Sequence, residues 1–319
     1  MLESFTYSFN TIAPIFVIVV IGAILKKTNF VNEGFLSVCD KLVFKICLPC
    51  LLFQDIATAN IAESLDIGFI IFCMIAVTVT AFVPCFILPI LIKDKAKCGA
   101  FAQGLFRSNS AILGVTLAAN MFGDAGVSVI AMVLPFTITL YNVYAVIILT
   151  VFAPSDSKMS PRELTAHILK TVVSNPLISA IVLALLWQLV PIALPNAVDK
   201  SLTYLADLAM PISLISLGAS FNASALRGRL GLAIGSSVCK TVVLPAVAVA
   251  AAVLFGFRGI DLGVVFILFG GPAAVSSYIM AKQMKSDHEL AGQILLISTL
   301  MSVVTLFLGI FLLKQTGLI

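Results

Sequence analysis

Two short polar stretches stand inside otherwise apolar sequence, and their residue types could bind an anion. The first is Arg107-Ser108-Asn109-Ser110. The second is Gly270-Gly271-Pro272, continued by Ser276-Ser277-Tyr278. A guanidinium presents two parallel donors to a carboxylate. Proline removes a backbone donor and glycine admits non-helical dihedrals, so both stretches should break a helix. Broken helices leave half-helix ends inside the membrane, and their N-termini attract anions. Arg107, Ser108, Asn109, Ser110, Gly271, Pro272, Ser276, Ser277 and Tyr278 are therefore the expected substrate-binding residues. The competing reading is an Arg107 paired internally with an Asp or with span carbonyls. The serines could equally satisfy freed carbonyls, and Ala273 and Ala274 need no role beyond close packing.

Four more cations fall within apolar segments: Lys41, Lys45, Lys170 and Lys240. A charge at bilayer depth costs about 2.5–3.5 kcal/mol on insertion scales, so each needs a partner or a purpose. Lys41 and Lys170 lie near span ends and can snorkel. Lys45 and Asp207 are 162 residues apart, four residues before Pro49 and Pro211. Opposite charges at equivalent points could meet across a repeat interface, or each could line water separately. Lys240 lies deeper and has no charged counterpart at Val79. It could neutralise substrate, balance Asp207, or couple transport to protons.

The elements that must position these residues repeat. Pro14 recurs as Pro176, Pro49 as Pro211 and Pro84 as Pro245, and the break at Asn109 recurs at Pro272. Four breaks in one register predict an internal duplication with interrupted helices in matching places, the pattern of a secondary transporter. Ten helices are expected, over 8–26, 36–57, 67–92, 98–122, 127–153, 165–190, 197–221, 230–255, 260–283 and 289–313. Residues 1–153 form the first five-helix repeat, 154–164 a cytoplasmic linker, and 165–319 the second repeat. The loops after spans 1, 3, 5, 7 and 9 carry eleven basic residues: Lys26, Lys27, Lys93, Lys95, Lys97, Lys158, Arg162, Arg227, Arg229, Lys282 and Lys285. The other side carries three, Lys200, Arg258 and Lys314, with the acidic Asp55, Glu63, Asp66 and Asp124. The positive-inside rule then puts both termini outside. Five spans per half make the repeat inverted.

Composition supports this frame. The chain of 319 residues is 61% hydrophobic and 11% charged, with mean hydropathy +1.14. Soluble domains carry about 25% charged residues, so the bilayer must be the solvent. The net charge of +4 comes from scattered basic residues, which argues against a nucleic-acid partner. Seven cysteines, mostly in apolar runs, make no disulfide framework, and Cys47-Leu48-Pro49-Cys50 lacks a redox fold around it. The stretch Met1 to Asn10 has Glu3 and no Lys or Arg, so no cleavable signal peptide is expected. An enzyme is disfavoured. Met121-Phe122-Gly123-Asp124 resembles an intramembrane aspartyl protease motif without its first glycine, and only His167 and His288 are present. No cofactor or metal site is read. An anion channel or membrane sensory receptor is the rival class, with no repeated filter and no output domain to favour it.

The chain resembles the auxin efflux carrier family, in its bacterial malate/malonate permease-like branch. The resemblance rests on the ten-span inverted repeat and Leu48-Pro49. It rests also on Arg107-Ser108-Asn109 followed by Gly114, and on Gly271-Pro272 with Ser277-Tyr278. It implies an all-α membrane fold shared with bile acid–sodium symporters, with spans 4 and 9 broken and crossed at Asn109 and Pro272. Spans 1, 2, 6 and 7 would form a scaffold. Spans 3–5 and 8–10 would form a transport domain that moves by an elevator-type alternating-access mechanism. It implies carriage of small mono- or dicarboxylates in a bacterial cell membrane, with H+ or Na+ as the open choices of coupling ion, and leaves room for a homodimer through the scaffold helices. The long cytoplasmic loop of many plant relatives is absent, and the acidic clusters that bind sodium in bile-acid relatives are not evident.

Overall fold

A computed structural model describes residues 2–58, 66–153, 161–190, 194–220 and 229–319. Glu63, Lys158, Arg227 and most of the expected linker (154–160) lie outside the described residues. Among the described residues the secondary structure is helical, and the sole β-type pairing is one isolated bridge. The helices are α1 (Leu2–Lys27), α2 (Glu33–Leu42), α3 (Leu48–Ala57), α4 (Ile67–Leu91), α5 (Lys95–Phe106), α6 (Val115–Val151), α7 (Pro161–Val173) and α8 (Pro176–Gln188). They continue with α9 (Asn196–Asp207), α10 (Ala209–Ser220), α11 (Leu230–Val238), α12 (Leu244–Leu254), α13 (Gly259–Gly270), α14 (Ser276–Gln283) and α15 (His288–Gln315).

Several of these join into longer rods. A π-helical turn over Val43–Cys47 links α2 to α3, and another over Cys239–Val243 links α11 to α12. Each turn directly precedes a Leu-Pro pair, Leu48-Pro49 or Leu244-Pro245. Proline has no N–H for the carbonyl four residues back and its ring crowds that carbonyl. Widening the preceding turn accommodates the clash without breaking the rod. The long α6 turns a corner at Gly123, where φ is 63° and ψ is −148°. The Gly123-Asp124 motif is therefore part of a kink in the helix.

Among the described residues five helices are long and apolar enough to cross a membrane: Ile67–Leu91, Leu117–Val151, Asn196–Ser220, Leu230–Leu254 and His288–Gln315. Pro176–Gln188 and Gly259–Gly270 are shorter apolar helices. The outward row Ile71, Ile75, Val79, Val83, Phe86 and Ile90 of α4 is exposed. So large an apolar face suits hydrocarbon and not water. Polar caps mark where these rods end: Asp66 accepts from Phe69 N–H, Asp94 from Ala96 N–H and Asp287 from Leu290 N–H.

Neighbours set the frame around the breaks. The α1 helix lies directly on α10, where a Cβ at Gly218 would sit 1.9 Å from the Val19 carbonyl oxygen. Elsewhere, α3 packs on α8 and α9, α4 on α5 and α6, α11 on α15, and α12 on α13. The short α14 lies between α15, α5 and α10. Phe106, Phe269 and Tyr278, beside the breaks, are among the largest fully buried side chains.

Candidate anion site at the helix crossing

The α5 helix ends at Phe106, and Arg107 is extended at φ −82° and ψ 112°. The α13 helix ends at Gly270, and Gly271 is extended at φ −62° and ψ 152°. The two extended segments cross. Asn109 N–H donates to the Pro272 carbonyl at 2.9 Å, and Ser108 and Ala273 form the antiparallel bridge. Ala273 N–H donates to the Ser298 hydroxyl of α15 at 3.1 Å, which ties the crossing to the next helix. These bonds satisfy backbone groups that the breaks would otherwise strand in a dry interior. Gly271 is required by proximity, because a Cβ there would lie 2.7 Å from the Ser108 hydroxyl oxygen.

Arg107 points from this crossing into the protein and is 5% exposed. Its Nη2 donates to Asn142 Oδ1 at 2.8 Å and to Ser276 Oγ at 2.8 Å, and Nη1 contacts the Met280 sulfur. Asn142 is held in turn by its own bond to the Ile138 carbonyl at 2.8 Å. All three partners are neutral. Among the described residues no Asp or Glu lies within ion-pair distance of Arg107. The competing reading, an Arg locked by an internal Asp, is not what is found. Among the described residues its hydrogen-bond partners are an amide, a hydroxyl and a thioether, so its charge is not neutralised by a carboxylate.

The other expected site residues fall around it unequally. Ser108 and Ser277 hydroxyls are buried without hydrogen-bond partners among the described residues, and Ser110 is buried at the start of a π-helical turn, Ser110–Gly114. Asn109 and Pro272 make the crossing itself. Ser276 begins α14 and touches Arg107. Tyr278 is turned away from it: its hydroxyl donates to the Ser216 carbonyl of α10 at 3.4 Å and accepts from Lys282 Nζ at 3.3 Å. Tyr278 therefore stands apart from the Arg107 side of the helix, since two residues along a helix rotate a side chain to the far face.

The remaining charged candidates separate. Lys240 is fully buried in the π-helical turn between α11 and α12, with no hydrogen-bond partner at Nζ among the described residues. Lys45 and Asp207 are both exposed and make no ion pair with each other, although α9 packs against the turn that carries Lys45. Of the two alternatives, meeting across the repeat or standing separately, this arrangement shows the two charges separate and exposed. Lys282, counted above among loop cations, is instead paired with Asp40 at 2.6 Å. Arg229 at the start of α11 bonds Asp287 at 2.7 Å and Glu289 at 2.8 Å. The Asp287 hydrogen bond, with both acidic charges nearby, raises the Arg229 pKa above its ordinary value.

Asn142, Met280 and Asp40 escaped the sequence reading. Asn142 gave one signal, an amide in the apolar run Leu140-Tyr141-Asn142-Val143.

The sequence profile of the membrane transport protein family matches residues 7–310, nearly the whole chain. The chain belongs to this family. It is the auxin efflux carrier family to which the sequence motifs pointed. The chain is 25% identical over 304 residues to an uncharacterized transporter of Methanothermobacter thermautotrophicus, covering 95% of this chain and 97% of that protein. It is 22% identical over 307 residues to an uncharacterized transporter of Methanocaldococcus jannaschii, covering 94% and 96%. It is 22% identical over 283 residues to a Rhizobium meliloti protein named "Putative malonate transporter", covering 88% and 87%. This membrane transport protein is an integral membrane protein that moves a small molecule across a bilayer.

Proposed function

We propose that this member of the membrane transport protein family carries small organic anions, mono- or dicarboxylates such as malonate or malate, through the crossing of spans 4 and 9. The observation that carries the reading is Arg107: a buried guanidinium at a double helix break, with neutral partners only. One substrate carboxylate replaces part of that neutral shell, and the hydroxyls of Ser108, Ser276 and Ser277 supply further donors. The name of the Rhizobium meliloti relative gives malonate as the first compound to try.

The transport cycle proposed is alternating access of the elevator type in a ten-span inverted repeat, residues 1–153 and 165–319. Spans 1, 2, 6 and 7 stay fixed as the scaffold, and spans 3–5 and 8–10 carry the site. Both termini face outward in a bacterial cell membrane, as the basic loops favour. Either H+ or Na+ supplies the coupling, and the scaffold faces offer the contact for a homodimer. Lys45, Asp207 and Lys240 are the residues to examine for coupling.

The test is a binding screen of mono- and dicarboxylates on purified protein, repeated with and without sodium, followed by counterflow in proteoliposomes. Saturable counterflow of one such anion is expected. Unsaturable anion conductance without counterflow would overturn the carrier reading in favour of a channel.

A further inference from the structure

The α14 helix has two working faces. Ser276 and Met280, four residues apart, face Arg107. Tyr278 and Lys282, also four apart, point the other way. On that second face Lys282 Nζ lies 2.6 Å from Asp40 Oδ2, in α2. Asp40 is fully buried, and its other oxygen accepts from the Ser216 hydroxyl of α10. Lys282 also reaches Ser220 at 3.3 Å, and Tyr278 bonds the Ser216 carbonyl. The network thus binds the helix that carries Ser276 to α2 and α10 at three points.

An ion pair between a partly exposed lysine and a fully buried carboxylate is poor evidence of stability by itself. Its desolvation cost can match its attraction, and well-packed apolar residues would serve as well. What it does provide is sensitivity to position. A pair that is neutral together becomes two exposed or unpaired charges when the elements slide apart, so it favours one register over intermediate ones. If α14 belongs to the moving domain and α2 and α10 to the scaffold, the division on which this inference rests, the pair spans the sliding surface.

We propose that Asp40 and Lys282 form a charge latch that holds the anion-site helix in the arrangement seen here and opens once in every transport cycle. They are positioning residues: they touch no substrate and act through α14. The latch sets how fast the site is carried between its two positions, and leaves the affinity of Arg107 for a carboxylate nearly unchanged.

A covalent latch tests this directly. With the seven native cysteines replaced, Asp40→Cys and Lys282→Cys would be bridged in the full-length protein by a short, reducible thiol cross-linker. Bridging should slow malonate counterflow by at least about tenfold. Reduction should restore it, and malonate binding should stay within about threefold throughout. Counterflow that continues in the bridged protein would overturn the proposal, because a contact of the resting structure alone can be made permanent without arresting transport. A second measurement needs no substrate. Spin labels at Val38→Cys and Lys285→Cys should give one narrow distance when the latch is intact. Asp40→Asn or Lys282→Met should add a second, longer distance, and the charge-swapped Asp40→Lys/Lys282→Asp should suppress it. A single unchanged distance in all variants would also overturn the latch. If the labels move as expected but malonate neither binds nor exchanges, the latch stands and the substrate reading fails.

Discussion

Two cations stand at opposite faces of the eight-residue helix α14, Arg107 packed against it and Lys282 projecting from it, and their partners differ in kind. Lys282 has a buried carboxylate at 2.6 Å. Arg107 is buried, yet among the described residues its partners are only Asn142, Ser276 and Met280. Elementary electrostatics treats these cases oppositely. The first cation is already answered and resists further anions. The second has its donors oriented and its charge unanswered, which is the condition for binding an anion that comes and goes. The difference separates a positional role from a binding role more firmly than burial or sequence position could.

The sharpest way to break the comparison is to make Arg107 resemble Lys282. Asn142→Asp places a carboxylate where Arg107 already donates at 2.8 Å. Malonate affinity should fall by about 10- to 100-fold, the worth of charged hydrogen bonds, while the melting temperature does not drop. Equilibrium binding and thermal unfolding on one preparation check this. Unchanged affinity would mean that Arg107 is not the anion ligand.

A smaller effect tests the crossing. Gly271→Ala puts a Cβ 2.7 Å from the Ser108 hydroxyl and 3.2 Å from the Ile267 carbonyl. Overpacking of this sort costs about 1–3 kcal/mol, and should lower both thermal stability and binding. Ser108→Ala in the same protein removes the closer clash and should recover part of the stability. No recovery would locate the strain at Ile267 instead.

Smaller again is the expected effect at Lys45 and Asp207. Because they do not pair in this structure, the transport losses of Lys45→Gln and Asp207→Asn should multiply in the double variant, with a coupling below about 0.5 kcal/mol. Recovery in the double would show that they meet in another state of the cycle.

The smallest effect lies at the surface. The exposed Glu33 is hydrogen-bonded by Lys26, which holds its carboxyl below the ordinary 4.5. The pair therefore stabilises the fold above that value and ceases to as the pH falls through the lowered one. Glu33→Gln should cost less than about 1 kcal/mol at neutral pH and nothing in strong acid, as read by unfolding at both pH values. A large loss would mark a structural role at the α1–α2 turn.

How much of this was legible in sequence varies by residue. The breaks were legible because proline and glycine act locally; that Asn109 and Pro272 meet, at 2.9 Å, was an implication of the family resemblance and not of the spacing. Arg107 was legible because a cation in an apolar segment is costly wherever it lies. Its partners were not. Asn142 is 35 residues away and Met280 is 173 away, and only the fold brings them to the guanidinium. The same holds for Asp40, whose partner Lys282 reads in sequence as one more cytoplasmic charge. The π-helical turns before Pro49 and Pro245 leave the apolar pattern intact, so periodicity carries no sign of them. Lys45 and Asp207 show where sequence left two alternatives open: equal places in a repeat do not by themselves bring two side chains together.

The account turns on Arg107 as a ligand for a carboxylate, and the most direct measurement is malonate affinity together with melting temperature for Arg107→Lys and Arg107→Gln. Lysine keeps the charge and loses the planar fork, so affinity should fall by about tenfold; glutamine loses both, and it should fall by up to about 100-fold. Both variants should melt within a few degrees of the parent, because no internal carboxylate is left unpaired. Affinity that stays unchanged, or stability that collapses together with it, would contradict the account and make Arg107 a structural residue.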